Sequence, residues 1–137
     1  MYSKIMLPVD LKHKESQEKA VIVAVDLARL YGANICLVGV TTSAPTSVAN
    51  SEEDFNKILT AYAHSKSIEH NVQIDHQTIH SNDPTVDLDD ALVKACEETH
   101  ADLVVMASHV PVFMEHFFRY NASRLVTHTS ISVLIVR

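Results

Sequence analysis

Residues 4–10 read Lys-Ile-Met-Leu-Pro-Val-Asp (KIMLPVD). The apolar run is too short for a helix and is predicted to be a buried first strand over residues 4–9. Pro8 sits near its end, where a lost ladder donor is tolerated. Outward from it, Ala20, Val21, Ala24, Leu27, Ala28 and Tyr31 recur at helical spacing over residues 14–31, and Gly32 follows as the expected C-cap. Residues 34–40 (NICLVGV) are almost continuously apolar, which suits a parallel strand covered on both faces.

The alternation continues to the end of the chain. Residues 41–50 form a polar loop. Ser51, with Asp54 three residues on, marks a helix start, and Phe55, Ile58, Leu59, Tyr62 and Ala63 line one face of a helix reaching Glu69. Residues 72–80 are polar enough for an edge strand, and a turn around Pro84 follows. Leu88, Ala91, Leu92 and Ala95 mark a third helix. Residues 103–106 (LVVM) form a fourth strand. Phe117, Phe118, Ala122, Leu125 and Val126 mark a fourth helix, and residues 132–136 (SVLIV) a fifth strand. A βαβαβαβαβ order requires right-handed crossovers and a parallel sheet with helices on both faces. In such sheets ligands bind beyond the carboxyl ends of the strands, where strand order reverses. If strands 1 and 4 flank that point, the crevice loops are Val9-Asp10-Leu11 and Ala107-Ser108-His109-Val110.

Composition narrows the function. With 137 residues the chain is one domain, residues 1–137, able to hold a core without disulfides or metal. Lys plus Arg is 11 against 17 for Asp plus Glu, a formal charge of −6. Such a surface repels phosphate backbones, so no nucleic-acid partner is expected. No apolar run is long enough to span a bilayer and no signal peptide is evident, so a cytoplasmic protein without a membrane partner is expected. Cys36 and Cys96 lie among apolar residues and read as buried structural thiols. The two glycines, Gly32 and Gly39, exclude any G-x-G-x-x-G or Walker loop.

KIMLPVD at the start, with DLVVMASH (residues 102–109) and SVLIVR (residues 132–137) towards the end, resembles the universal stress protein family across the whole chain. It is most similar to a short-loop branch reading Ala-Ser-His-x-Pro after strand 4. The resemblance implies a Rossmann-like α/β domain akin to the adenine nucleotide alpha hydrolases, with five parallel strands in the order 3-2-1-4-5. It also implies a homodimer pairing through the last strand, here Val133, Leu134, Ile135 and Val136. That terminal apolar strand would otherwise leave an open edge.

Some members of the family bind ATP. They use the Asp after strand 1, backbone after strand 2, and a glycine loop after strand 4 whose amides approach the phosphates. By that resemblance the degenerate nucleotide site here comprises Pro8, Val9, Asp10, Val40, Ala107, Ser108, His109, Val110, Arg119, Tyr120 and Asn121. Asp10 matches. Ala107 and Val110 stand where glycines stand, and Arg119-Tyr120 aligns with the final Gly-Ser. Loss of ATP binding by the usual route is the expectation, with no cofactor. The alternative is an ATP- or AMP-binding sensor that uses Asp10, the backbone near Val40, and the Arg119 guanidinium.

Other constellations point away from an enzyme. Asp10 either accepts from a ribose or adenine or caps its own turn. Ser108 and His109 are neighbours that diverge on extended backbone and lack a nucleophile elbow. The segment Asp10-Leu11-Lys12-His13 lacks the His-x-Gly-His pattern of adenylyl transferases. For metal, His76 and His80 are about 13 Å apart on a strand rising ~3.3 Å per residue. His64 and His70 are not adjacent on a helix face. His109 and His116 have no Cys or Glu at ligand spacing, so no metal is expected. Asp83, Asp87, Asp89 and Asp90 lack the glycine of a calcium loop and suit a helix start. Phe113, Phe117, Phe118 and Tyr120 are an aromatic cluster, with Phe117 and Phe118 read as core. The reading is a dimeric regulatory module with an unknown protein partner.

Overall fold

The computed structural model describes residues 1–83, 87–108 and 130–137. The expected turn at Pro84 and fourth helix lie outside the described residues. So do His109, Val110, Phe113, His116, Arg119, Tyr120 and Asn121.

Among the described residues the strands and α-helices follow in order: β1 (Lys4–Pro8), α1 (Glu18–Tyr31), β2 (Asn34–Thr41), α2 (Glu52–His70), β3 (Ile74–His80), α3 (Leu88–Thr99), β4 (Leu103–Ala107) and β5 (Ser132–Val136). The sheet is parallel throughout in the order β3-β2-β1-β4-β5. The core is built on its middle. Ile5, Met6, Leu7, Ile35, Leu37, Val38, Val104, Val105 and Met106 are essentially sealed from water. Right-handed crossovers set α1 and α2 on one face and α3 on the other. Phe55 and Leu59 of α2 press on Gly39, while Cys96 of α3 reaches Met6 Sδ at 3.7 Å on the opposite face.

Boundaries shift for identifiable reasons. Residues 14–17 form a 3₁₀ turn, and the helix proper begins at Glu18. Gly32 caps it with φ 67°. Ser51 Oγ accepts from Asp54 N at 3.1 Å, as its spacing requires. Helix α2 runs one residue beyond Glu69, to His70. Asn71 then turns left-handed (φ 51°) and Val72 N donates to Ser67 O at 3.2 Å. Those bonds belong to the helix end, so β3 begins at Ile74 and not at residue 72. Strand β1 stops at Pro8, one residue early, whereas β2 and β4 each gain one residue, Thr41 and Ala107. Cys36 and Cys96 are free and buried. Burial pushes both thiols up, Cys96 to about 12 with help from Glu97.

Candidate functional site

The sheet gathers the described part of the expected crevice. Pro8, Val40 and Ala107 lie at the carboxyl ends of β1, β2 and β4, three neighbouring strands. Strands β1 and β4 are in register at Ile5↔Leu103 and Met6↔Val104. Beyond those pairs each turns to its other neighbour. Val9 N donates to Val38 O at 2.9 Å, and Ser108 N to Val136 O at 2.8 Å. Pro8 has no N–H to hold the ladder closed. The two loops therefore separate where strand order reverses.

Asp10 is only partly exposed, and both its carboxylate oxygens are engaged. Oδ1 accepts from Lys12 N at 2.9 Å, an Asx-type turn, and Oδ2 lies 2.8 Å from His13 Nδ1. The turn-capping bond is thus present in this geometry. Behind it is a residue the sequence reading passed over. Gln17 is 1% exposed. Its Oε1 accepts from Asp10 N at 2.7 Å, and its Nε2 donates to Asp10 O at 2.7 Å and His13 O at 2.9 Å. The signal was available: Gln17 falls on the same helical stripe as Ala20, Val21, Ala24 and Ala28, all buried. A polar residue there must find its bonds inside the protein.

Other histidines have separate duties. His76 Nε2 lies 2.9 Å from Thr60 Oγ1, and His80 Nδ1 lies 2.7 Å from Glu52 Oε2. Each ties edge strand β3 to α2 and serves no common centre. Two grooves lie away from the crevice: about 460 Å³ between α2 and β3 beside His64 and His76, and about 260 Å³ beside Ser81 and Asp87. At the opposite sheet edge, Val133 and Ile135 of β5 are partly exposed, Leu134 is exposed, and Val136 is buried. Among the described residues no helix is long and apolar enough to cross a membrane.

Comparison with known proteins agrees with this architecture. The family model described as "Universal stress protein family" matches residues 1–137. Universal stress protein G of Shigella flexneri is 30% identical over 145 residues, covering 100% of both chains. Two solved structures share the fold. A universal stress protein in complex with cAMP is 20% identical with a TM-score of 0.66, covering 99% of this chain and 97% of that one. The universal stress protein from Archaeoglobus fulgidus in complex with dAMP is 17% identical, also at 0.66, covering 99% and 98%. The whole length is matched in sequence and fold alike, and the chain belongs to the universal stress protein family.

Proposed function

We propose that this protein is a stress-response regulatory module, a homodimer joined through β5, that does not bind ATP in the glycine-loop manner. The observation that carries the reading is the internal use of Asp10. Each of its carboxylate oxygens already has an internal contact, Oδ1 with Lys12 N and Oδ2 with His13 Nδ1, so a ribose or adenine would have to share them or displace them. Displacing both, at ~1 kcal/mol each, would cost about 2 kcal/mol, roughly 30-fold in affinity. Ala107 and Val110 add side chains where relatives bring bare backbone to a phosphate. No catalytic pair is part of this reading, and its partners are protein surfaces.

Nucleotide released from freshly purified, denatured protein, followed by Mg-ATP calorimetry, tests this. Empty protein with no heat is expected; stoichiometric nucleotide would overturn it. Light scattering at micromolar concentration should give twice the chain mass, and a monomer would remove the dimer.

A second reading is a nucleotide sensor using Asp10, the backbone near Val40, and Arg119. It draws support from the relatives solved with cAMP and dAMP. It requires an affinity that falls in Asp10→Ala and in Arg119→Ala.

A further inference from the structure

A second cluster of ionisable groups lies apart from the crevice, where the start of α1 meets the end of α2. Tyr62, Lys66, Glu69 and His70 fall at i, i+4, i+7 and i+8 on α2, hence on one face. Glu18, the first residue of α1, faces them. Lys66, with 11% of its side chain exposed, reaches Glu18 Oε2 at 2.6 Å and Glu69 Oε2 at 2.9 Å. The other oxygen of each carboxylate turns to His70. Nε2 of His70 lies 3.9 Å from Glu18 Oε1 and 3.8 Å from Glu69 Oε1. That nitrogen is sealed from solvent and has no hydrogen-bond partner. One nitrogen and two oxygens thus converge within 4.8 Å of one another.

We propose that this convergence is a seat for a divalent transition-metal ion, with Glu18, Glu69 and His70 as ligands. The donor set is one imidazole and two carboxylates, which suits zinc or its first-row neighbours better than calcium or magnesium. Bonds of about 2.0–2.2 Å in tetrahedral array put ligand atoms roughly 3.3–3.5 Å apart, so the two nitrogen–oxygen gaps need close by about half an ångström and the oxygen–oxygen gap, within 4.8 Å, by up to about 1.5 Å. Two carboxylates against one ammonium leave one negative charge for the ion to neutralise. Lys66 holds both carboxylates by their far oxygens, which orients them and also competes with the ion for their charge. A bound ion would tie the amino end of α1 to the carboxyl end of α2. This inference is independent of the nucleotide question. Its signal was hidden in the sequence because Glu18 is 51 positions from Glu69.

The test is zinc titration of the chelator-treated full chain by calorimetry, with cobalt absorption as the report of tetrahedral nitrogen and oxygen ligation. One equivalent is expected. Affinity should fall at least tenfold in Glu69→Gln, whose side chain is half exposed and whose fold circular dichroism can verify, and equally in His70→Ala. It should hold in His64→Ala and His76→Ala, which removes those two histidines, beside the groove between α2 and β3, as the source of binding. It should rise in Lys66→Gln, because a competing cation is gone; a salt bridge of purely structural value would show no such gain. No binding, binding unchanged in both ligand variants, or loss in His64→Ala or His76→Ala would each overturn the proposal.

Discussion

Replacing Gln17 by methionine keeps its length and volume and removes every hydrogen bond it makes. Asp10 N loses its acceptor at 2.7 Å, and Asp10 O and His13 O lose donors at 2.7 and 2.9 Å. At about 1 kcal/mol per bond the loss is about 3 kcal/mol, towards the upper part of the usual range for single substitutions. The chain has no tryptophan, so urea unfolding is followed by far-UV circular dichroism. With a urea slope of roughly 2 kcal/mol per molar, the midpoint should drop by about 1.5 M. Amide exchange at Asp10 should accelerate in parallel, because that amide is then unpaired. Gln17→Glu sharpens the case. It keeps an acceptor for Asp10 N but turns a carboxylate towards two carbonyl oxygens. Burial and those carbonyls would raise its folded pKa above the ordinary ~4.3. The variant should therefore be weakest at neutral pH and recover as pH falls through that raised value. A loss below about 0.5 kcal/mol in Gln17→Met, with Asp10 exchange unchanged, would refute the idea that Gln17 holds the crevice loop.

Three further outcomes follow from particular contacts. Gly39→Ala would set a Cβ 2.7 Å from Phe55 Cε1 and 3.2 Å from Leu59 Cδ2; the Phe55 ring or α2 must shift, and chemical denaturation should show a loss of about 1–3 kcal/mol. Ser51→Ala removes the acceptor for Asp54 N and should cost about 1 kcal/mol by the same measurement. Asp102 accepts from Ser3 N, Ser3 Oγ and Lys4 N at 2.7–3.0 Å. Burial pushes its carboxyl up, but these bonds outweigh burial and hold it below the ordinary value. Its contribution is present above about pH 4 and is lost as pH falls through the lower folded value. Asp102→Asn should accordingly lower stability at pH 7 and flatten the acid limb of a stability–pH curve; an unchanged limb would count against this.

The class of fold and the point where strand order reverses were legible in the sequence. Alternating apolar runs and helical stripes allow little but a parallel sheet with covered faces, and residues 4–10 mark the first strand and its loop. Ser51 and Gly32 announce their caps because capping depends on a few neighbouring backbone groups. Boundaries were less legible where a long bond competes locally: Val72 reads as strand, yet its N–H closes the end of α2. Which internal groups Asp10 meets became visible only in the tertiary structure, because an isolated carboxylate after a strand is compatible with a ligand or with its own turn. His13 Nδ1 beside its carboxylate and the reach of Gln17 across seven residues hold Asp10 in its turn. The meeting of Glu18 with Lys66, Glu69 and His70 was likewise a matter of packing. Side chains 48 to 52 positions apart come together only after two helices dock on the same face of the sheet, and no local pattern in the chain encodes that distance.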